Sequence, residues 1–147
     1  MKVVLDTSVY IAGFLNPKGG SGETLRLWRE EALFEVIASE QLFDKLLETL
    51  KKPRLQGQFQ ENDPERALES FKQTAEMLPD PPNPSQATRD IKDDYLVSLT
   101  ISSDADALVT LDDDLLVLER LERHDKKLIP IVRPGDLLGW LREAGLR

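Results

Sequence analysis

Short apolar runs alternate along the chain with longer stretches in which apolar residues recur every three or four positions. Runs of four or five apolar residues are typical of buried strands, and the longer period is typical of amphipathic helices. The runs predict four strands, at residues 2–5, 34–38, 107–111 and 129–132. The periodic stretches predict helices at residues 9–15 and 23–32, between Ser39 and Pro53, from Pro64 to near Met77, after Asp93, from Asp113 and from Pro134. Strands that alternate with helices predict an α/β fold, a three-layer α/β/α sandwich with a central parallel sheet.

Two connections are predicted to be irregular. Residues 16–22 read Asn-Pro-Lys-Gly-Gly-Ser-Gly and predict a flexible loop, because they lack the Lys-Ser/Thr ending of a phosphate-binding P-loop. Residues 78–88 contain four prolines and predict an extended connection. Neither side of that connection has the size of a domain, so residues 1–147 are predicted to form a single domain.

Composition excludes several classes of protein. Apolar residues make up 40% of the chain and charged residues 31%, which is typical of a soluble globular protein. No apolar run approaches the roughly 18 residues of a membrane span, and the first residues lack the features of a signal peptide. Cysteine is absent, which excludes thiol chemistry, disulfides and zinc–thiolate sites. We therefore expect a cytoplasmic protein with no membrane contact.

The formal net charge of −8 disfavours non-specific binding to nucleic acid. Basic residues nevertheless form two local clusters, which are either a basic rim or solvated helix ends and loops. The clusters are Lys51, Lys52 and Arg54, and Arg120, Arg123, Lys126 and Lys127.

Carboxylates gather where predicted strands end or helices begin. The acidic positions are Asp6, the pair Asp93 and Asp94, and the run Asp112, Asp113 and Asp114. Parallel strands bring their carboxyl ends to one edge of the sheet, where α/β proteins place their ligand sites. Carboxylates that meet there repel one another unless protons, basic side chains or a hard cation neutralise them. The sequence therefore predicts a Mg²⁺ or Mn²⁺ site, and such sites mostly bind phosphates.

Helix capping is the structural alternative for each acid. Asp6 and Asp93 each precede a predicted helix and could serve only as its cap. Asp113 is favoured as the cap of the short helix. Asp112 ends an apolar strand, where a carboxylate has little structural purpose, so a functional role is favoured for it.

Three motifs, taken in order, resemble a known family. They are Leu-Asp-Thr-Ser-Val at residues 5–9, Asp-Ile-Lys-Asp-Asp at residues 90–94, and Leu-Val-Thr-Leu-Asp-Asp-Asp-Leu-Leu at residues 108–116. They resemble the PIN domain, and with Ile-Pro-Ile-Val-Arg-Pro at residues 129–134 their spacing is similar to the branch that supplies toxins of toxin–antitoxin systems. The resemblance covers nearly the whole chain.

The resemblance implies a metal-dependent ribonuclease that acts on single-stranded RNA in an acidic crevice holding Mg²⁺ or Mn²⁺. It also implies a homodimer and a small antitoxin protein as partner. Asp6, Asp93 and Asp112 match the family's metal ligands, Asp114 a further acid, Thr7 or Ser8 the small polar position beside the first acid, and Thr110 a polar residue near the last.

Two positions depart from the family pattern. Leu111 stands where a glycine usually precedes the late aspartate. More importantly, Lys45 stands where the helix after the second strand usually carries a glutamate. Glu48 could replace that acid from the next turn, or Asp44 after a small rotation. Alternatively, Lys45 enters the crevice, replaces part of the cation's charge and weakens metal binding.

Two other function classes compete with the nuclease. The first is a catalytically weak or inactive PIN-fold module that binds RNA or protein, which Lys45 favours. The second is a phosphatase with Asp6 as nucleophile, which usually needs an aspartate where this chain has Ser8. The single histidine, His124, lies in a charged stretch and is interpreted as a surface residue. Ser8 and Ser21 have no evident histidine partner, so a serine hydrolase is poorly supported.

Overall fold

The computed structural model describes residues 1–55, 57–58, 64–81 and 94–147. Within these residues six strands form one sheet in the order β3-β2-β1-β4-β6-β5. The strands are β1 (Lys2–Leu5), β2 (Glu35–Ala38), β3 (Glu76–Met77), β4 (Ala107–Val109), β5 (Arg120–Glu122) and β6 (Leu128–Val132). All neighbouring pairs are parallel except β5 and β6, which are antiparallel.

Seven helices flank this sheet in the described residues and, with it, form the α/β sandwich that the sequence predicts. They are α1 (Thr7–Leu15), α2 (Gly20–Arg29), α3 (Glu40–Leu50), α4 (Pro64–Thr74), α5 (Asp94–Ser102), α6 (Asp113–Leu116) and α7 (Pro134–Glu143). Ser39 caps α3, since its hydroxyl accepts a hydrogen bond from the Leu42 amide. Pro134 occupies the first turn of α7, where its missing amide hydrogen costs nothing.

The core surrounds the first strand. Val3, Val4 and Leu5 are fully buried, because β1 lies between β2 and β4 and helices cover the sheet. Beside it, an aromatic cluster joins four helices. The ring of Tyr10 lies 6.5 Å from Trp28, 5.8 Å from Phe43 and 5.3 Å from Phe71, centroid to centroid; these rings come from α1, α2, α3 and α4.

The differences from the sequence prediction include two added strands, the end of α4 and the start of α2. Glu76–Met77 pairs with β2 as β3, so the helix predicted to run to near Met77 ends at Thr74. The strand β5 is also new. The segment predicted as a flexible loop at residues 16–22 instead starts α2 at Gly20. A Cβ on Gly22 would lie 2.2 Å from the Pro17 carbonyl oxygen, so glycine permits this close packing.

The parallel strands all begin at one side of the sheet and end at the opposite side. We call these two sides the amino edge and the carboxyl edge. At the amino edge, Lys2 pairs with Glu76 at 3.1 Å and with Asp104 at 3.0 Å. Asp106 accepts hydrogen bonds from the Lys2 amide and from the Lys127 ammonium, at 2.9 and 3.0 Å. At the carboxyl edge the five parallel strands end, and most of the predicted site residues lie there.

None of the helices in the described parts of the chain combines the length and apolar content needed to cross a bilayer.

Candidate active site

Asp6 is fixed at the carboxyl edge by the end of the central strand. It follows Leu5 directly, and its amide donates to the Val109 carbonyl at 2.9 Å, so β1 and β4 end side by side. Only 4% of Asp6 is exposed. It stands at the N-cap position of α1, yet its side chain accepts no hydrogen bond from the amides of that helix. Its carboxylate is therefore available for contacts other than capping.

Hydroxyl groups hold the Asp6 carboxylate. Its Oδ2 atom accepts from the hydroxyls of Thr110 at 2.6 Å and Ser8 at 2.9 Å. Its Oδ1 atom accepts a longer bond of 3.3 Å from the Thr7 hydroxyl. No basic side chain pairs with Asp6 among the described residues. Neutral donors orient a carboxylate without neutralising its charge, which leaves Asp6 suited to a cation.

The same hydroxyls connect two strand ends. The Thr110 hydroxyl accepts from the Asp112 amide at 2.9 Å, and the Ser8 hydroxyl accepts from the Leu111 amide at 3.1 Å. Thr110 is fully buried, so its hydroxyl is fixed between Asp6 and the chain that leads to Asp112. Thr7, Ser8 and Thr110 thus contact Asp6, and the functional roles that the resemblance implies for them stay predictions.

Asp112 has a structural purpose that the sequence analysis did not assign to it. It is the N-cap of α6, and its Oδ1 atom accepts from the Asp114 amide at 2.9 Å. Asp113, expected to be the cap, is instead the first residue of the helix. The expectation fails because the chain leaves the strand after Val109, two residues earlier than predicted, and Asp112 then precedes the helical turn. The second oxygen of Asp112 can still serve a ligand, because the cap uses only Oδ1.

Lys45 lies near the start of α5. Its ammonium lies 5.3 Å from the centroid of the Tyr95 ring, a cation–π contact, and the side chain is partly buried. Asp44 is exposed and lines a groove between α3 and α4. Glu48 is exposed on the same helix. The Lys45 side chain thus contacts α5, which begins at Asp94.

The sequence analysis missed Tyr10 as a neighbour of this site. Its hydroxyl is fully buried and has no hydrogen-bond partner among the described residues. Burial raises the pKa of this hydroxyl, and the negative charge of the Asp6 carboxylate raises it further. Tyr10 lies one helical turn beyond Asp6, and that spacing is the only sequence signal that could have indicated the proximity.

The structure brings together part of the predicted metal set. Asp93 lies outside the described residues, so its predicted role as helix cap and metal ligand is untested. Within the described part of the chain, no three aspartate, glutamate, histidine or cysteine side chains are grouped closely enough to hold an ion. The available donors fit a hard cation, since Asp6 is a buried carboxylate without a basic partner and Asp112 keeps a second oxygen.

Sheet and site together define an α/β protein whose acidic site lies at the carboxyl edge of a mostly parallel sheet. A family profile described as PIN domain matches residues 2–114, which is more than half of the chain. The chain therefore belongs to the PIN-domain family, a nuclease-type fold whose members typically use divalent metal ions. Comparison with curated proteins and with solved structures finds no match to the chain. The predicted family and fold class are confirmed, and the toxin branch stays a prediction.

Proposed function

We propose that this protein is a Mg²⁺- or Mn²⁺-dependent endoribonuclease that hydrolyses phosphodiester bonds of single-stranded RNA. One observation carries the proposal: Asp6 is nearly buried, oriented by three hydroxyls, and has no basic partner among the described residues. An unpaired buried carboxylate is costly unless a ligand compensates for it. Membership of a nuclease-type family supports a catalytic cation as that ligand.

In this proposal Asp6, Asp93 and Asp112 would hold the ion, with Asp114 close to Asp112 in the first turn of α6. A bound divalent ion supplies Lewis-acid activation of water and stabilises charge on the leaving oxygen. The protein's own contribution is to fix the carboxylates. Thr110 and Ser8 hold Oδ2 of Asp6, and the Thr110 hydroxyl also fixes the amide of Asp112. A chain arranged in this way needs no histidine base, which agrees with the single histidine lying in a hairpin.

Incubation with labelled single-stranded RNA, with and without Mn²⁺, tests the proposal. We expect cleavage that requires Mn²⁺ and that is lost in Asp6→Asn and under chelation. Asp125→Asn is the matched control, because Asp125 is an aspartate in the β5–β6 hairpin at the opposite edge of the sheet. Cleavage that persists in Asp6→Asn, or without metal, would exclude the proposed site.

A catalytically weak or inactive module that binds RNA or protein is the second candidate function. The contact between the Lys45 ammonium and Tyr95 favours it, because this places a fixed positive charge beside the helix that follows Asp93. Lys45→Glu separates the two candidates in the same RNA assay. No cleavage by the native chain, with cleavage gained in Lys45→Glu, indicates a disabled site; equal cleavage in both indicates that Lys45 is tolerated.

The wider role that we propose is that of a cytoplasmic toxin component of a toxin–antitoxin system. Its support is the spacing of the three sequence motifs, together with the family assignment. A small antitoxin protein that covers the acidic site and a homodimeric assembly belong to the same proposal. Light scattering on the purified chain tests the homodimer, and growth arrest on expression, absent in Asp6→Asn, tests toxicity.

A further inference from the structure

Acidic residues outnumber basic residues directly after the parallel strands. The first three residues after the parallel strands are Asp6-Thr7-Ser8, Ser39-Glu40-Gln41, Leu78-Pro79-Asp80, Thr110-Leu111-Asp112 and Arg133-Pro134-Gly135. Arg133 is the only basic residue in this set. It also lies beyond residues 2–114, which the family profile matches. A polyanion that approaches these strand ends meets Arg133 as the basic residue of this set, while Lys72 of α4 is paired with Glu40 at 3.1 Å.

The basic cluster around the β5–β6 hairpin lies at the other edge. Lys127 precedes β6, which runs parallel to β4, so the hairpin turn lies at the amino edge near the start of β4. Three of its four basic side chains are paired there. Arg123 pairs with Asp125, Lys126 with Glu122, and Lys127 with Asp106. Arg123, Lys126 and Lys127 therefore lie at the end of the sheet opposite to Asp6 and Asp112.

Arg133 is tied to the site by the sheet itself. The Thr110 amide donates to the carbonyl of Val132 at 2.9 Å, which places Arg133 beside the residue whose hydroxyl holds Asp6. The Arg133 Nη2 atom lies 3.0 Å from Oδ1 of Asp113, the neighbour of Asp112. The Arg133 side chain is 54% exposed and that of Asp113 is 89% exposed. The guanidinium thus lies at the rim of the acidic site, open to solvent.

We infer that Arg133 binds a backbone phosphate of the RNA next to the bond that is cut. When RNA is absent, the Arg133 guanidinium instead forms an ion pair with the Asp113 carboxylate. This inference rests on the proposed ribonuclease function. Guanidinium groups bind phosphate oxygens through two parallel hydrogen bonds, as they bind carboxylates. An exposed arginine–aspartate pair contributes little to stability, so a phosphate can displace Asp113 readily.

The start of α7 does not depend on the Arg133 side chain. The Asp136 carboxylate accepts from the Arg133 backbone amide at 3.0 Å, and any residue except proline supplies that amide. Substitution of the side chain therefore leaves the helix start intact. Arg142, an exposed arginine in the last turn of the same helix, provides a control with the same change in net charge.

The test measures binding of labelled single-stranded RNA to the full chain in the non-cleaving Asp6→Asn background, with Mn²⁺, from about 50 to about 200 mM salt. We expect Arg133→Ala to weaken binding roughly tenfold, as for one charge-assisted hydrogen bond. The plot of log Kd against log salt should also flatten by about 0.7 for the lost phosphate contact. Arg133→Lys should recover part of the affinity, and Arg142→Ala should behave as the parent chain.

Asp113 gives an independent arm of the test. Asp113→Asn should tighten binding, because it frees Arg133, and this gain should disappear when Arg133 is already alanine. A gain of equal size in both backgrounds means that Asp113 only repels RNA through its charge, which overturns the competition with Arg133. In the otherwise native chain, Arg133→Ala should raise the KM for cleavage with little change in kcat.

Two failures are distinguishable. If the native chain cleaves RNA but Arg133→Ala matches Arg142→Ala in Kd, salt slope and KM, the inference about Arg133 is wrong and the ribonuclease proposal stands. If neither the native chain nor the Asp6→Asn chain binds single-stranded RNA, both proposals are wrong.

Discussion

Thr110 connects two parts of the candidate site, because its hydroxyl donates to the Asp6 carboxylate and accepts from the backbone amide of Asp112. Thr110→Val keeps the shape of the side chain and removes both hydrogen bonds. We expect a loss of about 1–2 kcal/mol in the free energy of unfolding, since a buried carboxylate loses a donor. We also expect the thermal stabilisation by Mn²⁺ to shrink, because Asp6 is no longer held.

Thr100 provides the matched control for that substitution. It is also fully buried, but its hydroxyl bonds only to the Leu96 carbonyl within α5. Thermal denaturation of both valine variants at increasing Mn²⁺ concentrations distinguishes a general loss of stability from a loss of Mn²⁺ binding at the candidate site. An unchanged Mn²⁺ response in Thr110→Val, equal to that of Thr100→Val, would contradict the role given to Thr110.

For Tyr10 we expect a substitution that does not lower the free energy of unfolding. Its hydroxyl is buried without a hydrogen-bond partner among the described residues, and the ring packs against Trp28, Phe43 and Phe71. Tyr10→Phe keeps the ring and removes the unsatisfied group. We expect the free energy of unfolding in urea to stay level or to rise by about 1 kcal/mol. A marked loss of stability would show that the hydroxyl has a partner, such as a bound water.

At the scale of the element, two substitutions at the start of the short helix α6 distinguish the capping role of Asp112 from its proposed role in metal binding. Asp112→Asn keeps an oxygen that can accept from the Asp114 amide, whereas Asp112→Ala removes the cap. We expect alanine to cost about 1 kcal/mol of stability and asparagine much less. Both variants should lose RNA cleavage, because neither retains the carboxylate charge.

Urea denaturation and the RNA assay on the same two proteins check that prediction. Full cleavage by Asp112→Asn would remove Asp112 from the proposed metal set. Equal stability of the two variants would mean that the cap contributes little to α6.

The strands also show which features of the fold the sequence could predict and why it could not predict the others. Lys2–Leu5 was predicted with its correct bounds, because four residues in a row carry a strand-like pattern. β3 has two residues and β5 has three, too few for an alternating pattern to be recognised. Asp6 could be singled out because it follows a strand. The bond from Thr110 could not, because it depends on the register in which Leu5 pairs with Val109.

At the scale of the whole molecule, Asp106 links three strands at the amino edge. The Lys2 amide hydrogen bond and the Lys127 ammonium hold the pKa of this carboxyl below its usual range. A depressed pKa in the folded state stabilises the protein above the unfolded pKa of about 4, and this contribution is lost as the pH falls through the folded value. The wild-type chain should therefore lose stability on acidification below about pH 4.

Asp106→Asn tests this coupling. The variant should be less stable than the wild type at about pH 7, and the difference in stability should be smaller at about pH 3, below the unfolded pKa, because the contribution of the charge is lost as the pH falls. Urea denaturation at the two pH values measures both gaps. A gap that does not change with pH would mean that the charge of Asp106 contributes nothing to folding.

The hydrogen bond between Thr110 and Asp6 spans 104 positions of the chain. During translation Asp6 leaves the ribosome long before the hydroxyl that will hold it has been made. A nascent chain therefore carries the first acid of the site without its support, and β4 has to emerge and pair with β1 before the two strand ends can meet. Synthesis thus sets the earliest time at which the acidic site can form, because its first acid is made about a hundred residues before the strand end that supports it.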